Sequence, residues 1–433
     1  MSDSAPSVPV NCRPRACGSA RLGGESTVTE RRRFLALGIS SLVIASLSLT
    51  ACGTRASSAP GDAGAKKVVK IGVIAPLSGG LSSMGTGIQN SVDLAVKQAN
   101  ASNALAGWTI QIDAQDDQAS PDVGKNAATK LAGDKDVVAV VGPLNSSVGQ
   151  AIQPILDPSK IPLVSPANTN PTLTRGAEAS TNPKRTYTSY FRTCTTDAIQ
   201  GPFAAQYLLN AGIKKVATVH DKKAYGQGLV TEFTKAFTAG GGTIVAAETV
   251  NPDDKDFAAV IAKIKPTAPQ ALYYGGEHPV SSLLTKQMKD AGLKIPLMGG
   301  DGMYDPAYIT NGGSATAGDL VTSVGAPAES LPSAQQFVSD YKAAGYSSGY
   351  STYGLYAYDA ANAIINALKV SLPTASDATS ARAATVDALG KVNFQGASGN
   401  VSFDEFGDNR TRVLTVYKVE NGAWVANTTD EVK

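Results

Sequence analysis

Cysteine and histidine are scarce in this chain, with four Cys and two His among 433 residues. So few soft and imidazole ligands argue against a multi-ligand zinc centre and against a disulfide scaffold. Excess charge is also missing: the formal net charge is +2, and only 17% of residues are charged. Residues 1–51 hold six Arg against Asp3, Glu25 and Glu30, which leaves 32 basic and 33 acidic residues from Cys52 onward. A near-neutral body has no basic field for a phosphate backbone, so nucleic acid is not an expected partner. What remains is 42% hydrophobic, with 43 Gly and 23 Pro, the composition of an ordinary globular protein. The length suits two or three domains.

Arg31-Arg32-Arg33 precedes an 18-residue run of apolar and small residues, Phe34 to Ala51, that ends at Cys52. A cationic n-region, an apolar h-region and a small-residue cleavage point describe a secretory signal. Length alone also allows a retained spanning helix, but four Ser, one Thr and one Gly dilute the run. Leu49-Thr50-Ala51-Cys52 resembles a bacterial lipobox, which predicts lipid on the Cys52 thiol and a membrane-anchored extracytoplasmic protein. The Arg-Arg-Arg-Phe-Leu stretch fits either a twin-arginine or a general secretory signal. The signal is complete without residues 1–27, which predicts a translation start near Val28. Residues 52–67 read as a flexible linker after the lipidated cysteine. Cys194 is then the one remaining thiol and is expected to be a buried small hydrophobe.

From Val68 short β-branched runs alternate with helical segments. Strands are expected at 69–75, 108–116, 137–142 and 161–165, separated by helices at about 87–100, 121–132 and 147–157. The pattern repeats with strands at 186–193, 214–220, 243–250, 271–276 and 295–300 and helices between them. Further helices are expected at about 333–344, 351–370 and 383–391, then strand-like tail segments at 401–406 and 412–419, with Asn421-Gly422 as a turn. Apolar runs of this length between helices argue for βαβ units and parallel sheets covered on both faces, arranged as two doubly wound halves.

In open parallel α/β sheets the ligand site lies outside the carboxyl ends of the strands. Gly142-Pro143-Leu144-Asn145-Ser146-Ser147 passes from a strand end into a helix, whose first N–H groups and Ser hydroxyl could hold a small anion; the same residues also suit an ordinary serine cap. Ser165-Pro166-Ala167-Asn168-Thr169 repeats the arrangement on the next strand. In the other half, Gly299-Gly300-Asp301-Gly302 sets one carboxylate among glycines at a strand end. An anion pocket facing an acid across a cleft suits a zwitterionic amino acid. Catalytic readings are weak: there is no G-x-S-x-G elbow and no P-loop, and Met84 to Asn90 imitates a dinucleotide fingerprint without its third Gly. No cofactor is expected.

The segments IGVIAPLSG (71–79), VVGPLNSS (140–147), SPANTNPTLT (165–174), VHDKKAYGQG (219–228), LYYGGEHP (272–279) and GGDG (299–302) resemble, in this order, the branched-chain amino-acid binding proteins of ABC importers. The tail pattern F-x-G-x-x-G-x-V-x-F-D-x-x-G-D at 394–408 carries the same resemblance. It implies the type I periplasmic binding protein fold, a monomer of two lobes joined by a three-strand hinge. The lobes would comprise 68–188 with 324–409 and 192–321 with 412–427, joined by crossovers near 188–192, 321–324 and 409–412. The implied partners are a free amino acid and the importer's membrane permease.

Matching positions place Ser146 and Thr169 on the ligand carboxylate, helped by backbone near Ala167 and Leu144, with Tyr225 supplying a hydroxyl and Asp301 meeting the ammonium. Met84, Leu144, Asn145 and, more remotely, Tyr350 would border the ligand side chain. Glu277 departs from the pattern, standing where the aliphatic-amino-acid receptors present an aromatic ring. It points to solvent, pairs with Lys222 or Lys223, or selects a polar or cationic tail. A sensor of the same fold, a receptor for amides, urea or aromatic acids, and an exported α/β hydrolase are the rival readings.

Overall fold

The computed structural model describes residues 66–432. The expected signal segment, the lipidation site Cys52 and the linker up to residue 65 lie outside the described residues. Among the described residues no helix is long and apolar enough to cross a membrane.

Two sheets organise the chain. The first contains β1 (Lys67–Ala75), β2 (Trp108–Asp116), β3 (Val137–Val141), β4 (Leu163–Ser165) and β5 (Tyr190–Arg192), all paired in parallel in the order β2-β1-β3-β4-β5. The second contains β6 (Lys215–His220), β7 (Thr243–Thr249), β8 (Ala271–Gly275), β9 (Leu297–Gly299) and β10 (Leu320–Ser323). Its parallel part runs β7-β6-β8-β9-β10, the same winding as the first. Between the halves of the chain stands a short hairpin of β11 (Asn393–Gly396) and β12 (Gly399–Ser402). The chain then returns to the second sheet as β13 (Val413–Glu420) and β14 (Ala423–Glu431).

Twelve helices cover these sheets: α1 (Ser82–Ala101), α2 (Pro121–Gly133), α3 (Ser146–Leu156), α4 (Thr172–Arg175), α5 (Asp197–Asn210), α6 (Ala224–Ala239), α7 (Ala258–Ile264), α8 (His278–Asp290), α9 (Pro306–Gly312), α10 (Ala334–Ala343), α11 (Gly354–Ser371) and α12 (Ala378–Leu389), counted among the described residues. Side chains of α1, α11 and α12 form one core on the first sheet, through Ile88, Val92, Ile364 and Leu368, while α2 and α3 form another through Leu131, Val148 and Ile152. The second sheet is likewise covered by α7 and α8 on one core and α5 and α6 on another. Strands such as VVAVV of β3 are buried throughout because both faces carry helices.

Several elements differ from the sequence expectation, among them α1, which starts at Ser82, and the tail strand, which is β12 at Gly399–Ser402. β4 and β5 shrink to three residues each, since Pro162 has no N–H to donate to a ladder and β5 finds, beyond the three residues of β4, only a single bridge from Arg192 to Asp408. α12 begins at Ala378 because Asp377 accepts from Ser380 N at 2.8 Å and Ser380 Oγ accepts in turn from Asp377 N. The second sheet is mixed, because β13 returns antiparallel beside β10, and Asn421 and Gly422, with φ of 52° and 77°, fold β14 back antiparallel on β13.

The β11–β12 hairpin has a specific anchor. Asp359 of α11 is fully buried and accepts hydrogen bonds from Ala397 N, Ser398 N and Ser398 Oγ at 2.7, 2.8 and 2.5 Å. Gly396 is required beside it, since a Cβ there would sit 2.5 Å from the carboxylate. Burial pushes the Asp359 carboxyl up to about 6 against those donors. Asp359→Ala orphans three donors and is expected to cost about 3 kcal/mol, read as a lower urea midpoint. A midpoint unchanged from wild type would refute this anchor.

Candidate functional site

Both sheets reverse winding at their centres, beside β1 and β3 in the first and β6 and β8 in the second. A crevice opens at such a switch point, at the carboxyl ends of the strands. At the end of β3 the chain turns at Gly142, whose φ is +122° and whose Cβ would lie 2.0 Å from Ile74 O. Only glycine fits there, and the turn aims residues 143–146 at the crevice.

Asn145 is the N-cap of α3 but its side chain does not cap, so the Asn145 Nδ2 is free to reach elsewhere. Ser146 begins the helix, so its hydroxyl stands beside N–H groups that have no partner within the helix. The facing loop after β4 is held rigidly. Ser165 Oγ donates to Pro143 O at 2.9 Å and accepts from Asn168 N at 2.9 Å and Ala167 N at 3.2 Å. Asn168 Nδ2 donates to the carbonyls of Pro143 and Leu144 at 3.1 and 2.8 Å, and Arg192 Nη1 donates to those of Asn168 and Asn170. The result fixes Ser146 and Thr169 side by side; the Ser146 hydroxyl has one long contact, from Asn170 N at 3.5 Å. The Thr169 hydroxyl is buried without aligned hydrogen-bond geometry to any described side chain, and its polar neighbour is the Asp197 carboxyl, which burial raises and this hydroxyl works to lower.

Across the crevice stands Asp301, wholly buried just after β9. Its Oδ1 accepts from Gln200 Nε2 at 2.8 Å and Tyr225 OH at 2.9 Å, and its Oδ2 from Tyr353 OH at 2.8 Å. Burial raises its carboxyl above the usual range despite these donors. An ionised carboxylate offers about four acceptor sites, so one remains for a further donor. Tyr225 OH also accepts from Gly302 N at 3.0 Å, so its hydroxyl is fully engaged in shaping the acid.

Glu277 is buried at the start of α8 and does not face solvent. It meets Lys223 Nζ at 3.1 Å and accepts from Asn145 Nδ2 at 2.7 Å, while Lys222 turns away to Asn251. Burial works to raise its carboxyl, but the Lys223 charge and the hydrogen bonds of Asp221, Lys223 and Asn145 hold it below the usual range. Neighbouring Asp221 is raised, by burial first and by Glu277 next, so this pair retains a proton.

Of the apolar candidates, Met84, Leu144 and Ala167 are buried in one contiguous core with Tyr353. Tyr350 is occupied elsewhere, edge-on to Phe337 and Tyr341 at 5.4 and 5.7 Å between ring centroids. It is Tyr353, three residues on, that reaches Asp301. Sequence reasoning also missed Gln200, which joins Asp301 to Thr322, and Asp197, whose N–H donates to Thr169 O at 2.8 Å and whose carboxyl is buried beside that residue. No local motif marks these residues; only the packing of α5 and α11 over the crevice brings them in. Cys194 is buried as expected, and burial pushes its thiol up.

Direct bonds tie the two sides together: Asn145 to Glu277, Tyr353 to Asp301, Ser83 Oγ to Asp305 Oδ2 at 2.9 Å and Asn170 Nδ2 to Ala224 O at 2.6 Å. Behind the crevice, where the chain crosses between sheets, Asp408 lies 2.9 Å from Arg175 Nε and 2.8 Å from Arg192 Nε, the latter an ion pair without aligned hydrogen-bond geometry. Arg175 Nη2 also meets Asp404 at 2.8 Å. The acids of the F-D-x-x-G-D tail pattern therefore clamp the crossover. A hollow of about 770 Å³ borders this clamp, lined by Arg175, Asp404 and Asp408 and not by Asp301 or Ser146.

Residues 68–423 match the family model described as periplasmic binding protein. The chain is 32% identical over 359 residues to the Leu/Ile/Val-binding protein BraC3 of Rhizobium johnstonii, covering 83% of this chain and 93% of that one. Among solved structures it is similar to the leucine-binding protein LivK of Thermotoga maritima, with TM-score 0.73 and 28% identity over 83% of this chain and 98% of that one. It is also similar to the branched-chain amino-acid transporter substrate-binding protein LivJ of Streptococcus pneumoniae in complex with isoleucine, with TM-score 0.74 and 26% identity over 84% and 99%. A two-lobed α/β receptor with its polar groups gathered between the lobes, matched in sequence across nearly all the described residues, belongs to the periplasmic binding protein family.

Proposed function

We propose that this protein captures a free amino acid, branched-chain and aliphatic, between its lobes and delivers it to the permease of an ABC importer. The observation that carries the reading is the opposition of two unlike polar sets. The α3 N-terminus with the Ser146 and Thr169 hydroxyls forms an anion seat on one side, and Asp301 with an acceptor site to spare lies on the other. A zwitterion bridging them favours the closed arrangement, because only then do both poles find partners. The hinge would comprise the crossovers near 188–192, 321–324 and 409–412, with the Arg192–Asp408 clamp at its centre. Residues 1–51 would export the chain, and lipid on Cys52 would hold it at the membrane near its permease.

The state of Glu277 supports an aliphatic ligand. Its charge is spent on Lys223 and Asn145, so no cationic ligand tail is needed to neutralise it. The side-chain end of the site then draws on the apolar cluster containing Met84 and Leu144.

Asp301→Ala is expected to weaken leucine binding at least tenfold in calorimetry without loss of fold; equal affinity would refute the assignment. An ammonium ligand needs Asp301 ionised, and that carboxyl is raised by burial. Affinity should therefore hold at neutral pH and fall as pH drops through the raised value, beginning above the ordinary carboxylate range of about 4. Glu277→Gln should leave the ranking of leucine over glutamine and lysine unchanged. It should also lower stability by about 2 kcal/mol, less than for a fully buried pair because the Lys223 side chain is 21% exposed. A reversal of ranking would assign Glu277 to the ligand instead.

A further inference from the structure

A second cavity of about 490 Å³ lies between the lobes, separate from the groups around Asp301. Its walls come from both sides of the molecule: Tyr304, Tyr417 and Trp424 belong to the half built on the second sheet, Tyr350 and Tyr356 to the half built on the first. Ser323 and Ala326, where the chain crosses between sheets, also border it. Tyr304 and Tyr417 stack at 4.2 Å between centroids, and the Trp424 indole is oriented by donating to Asp305 O at 3.2 Å. The rings are thus set in place by the protein's own contacts. Glu329 is the one charged side chain among the described residues that line the cavity. No described Lys, Arg or His offsets it there. Its carboxylate acts on the surrounding phenols: burial first, and Glu329 after it, raise Tyr350, and both contribute to pushing Tyr417 up to about 12. Ser351 Oγ, also at the wall, is buried without a hydrogen-bond partner among the described residues.

We infer that this cavity is a binding site for a small organic cation with an apolar body, such as an alkyl- or aryl-ammonium. Aromatic faces present negative charge to a cation, a lone carboxylate at the rim supplies the counter-charge, and the volume suits a ligand of that size. A neutral or anionic ring would gain the apolar contact but leave Glu329 unpaired or repelled.

The site is joined to the amino-acid crevice by one short segment. Residues 350–352 line the cavity, Thr352 Oγ1 donates to Tyr304 O across the lobes, and Tyr353 OH holds Asp301. A cation that touches both lobes binds the closed arrangement better than an open one, and by linkage it raises affinity in the crevice.

The test uses benzyltrimethylammonium as probe, with benzyl alcohol and benzoate as controls, in calorimetry and thermal shift on the mature protein. Saturable binding with a Kd of about 1 mM or tighter is expected for the cation, at least fivefold weaker for either control. Glu329→Gln, at an exposed position that leaves the core untouched, should weaken the cation at least threefold, as should Trp424→Ala. With leucine saturating the crevice the cation should still bind, at least as tightly, which separates this site from the crevice and from the amino-acid reading. Absence of saturation by about 10 mM, equal binding of the controls, indifference to Glu329→Gln, or displacement by leucine would each overturn the site. With the probe saturating, leucine should bind at least twofold tighter; unchanged leucine affinity would overturn the linkage.

Discussion

One buried carboxylate organises this molecule. Asp301 has no exposure to water, and a bare charge there would cost several kcal/mol. The fold meets that cost with donors from three elements, Gln200 of α5, Tyr225 of α6 and Tyr353 at the start of α11. Because Tyr353 comes from the opposite lobe, the acid is fully served only when the lobes are together. The same interaction therefore stabilises a charge and reports on closure.

The remaining cross-lobe contacts follow similar logic. Glu277 carries a second buried charge and also takes one partner from each side, Lys223 from its own lobe and Asn145 from the other. Such contacts are individually modest, and they are lost together when the lobes part. That arrangement lets a ligand worth several kcal/mol decide the population of closed and open forms. Rigidity is concentrated behind the crevice, where Asp404 and Asp408 clamp Arg175 and Arg192. Arg192 in turn supports the Asn168–Asn170 loop that presents Thr169. The Asp408–Arg192 pair and the Asn168–Asn170 loop are thus one connected polar structure.

Residues 350–352 line the aromatic cavity and Tyr353 reaches Asp301, so one short segment serves two places of different chemistry. The region between Ser146 and Asp301 is lined by polar groups. The adjoining cavity is aromatic with a single negative group. Both depend on the same approach of the lobes.

Much of the fold was legible in the sequence, since apolar runs of five to nine residues between amphipathic segments can only be buried as parallel strands between helices. The strand-end motifs also showed where Ser146, Thr169 and Asp301 would stand, because a strand's carboxyl end must open onto the crevice. The tail pattern at 394–408 was visible as a motif, but its work was not: Gly396 makes room for Asp359, and Asp404 and Asp408 grip arginines more than 200 positions earlier. Only tertiary structure decided that Glu277 is neutralised by Lys223, that Tyr353 and not Tyr350 reaches Asp301, and that Gln200 stands between Asp301 and Thr322. Those outcomes depend on which side chains meet across separately folded lobes. Local hydrophobic pattern dictates each element's buried face, but it does not specify the partner of a polar group, which distance in space and the cost of leaving that group unpaired determine.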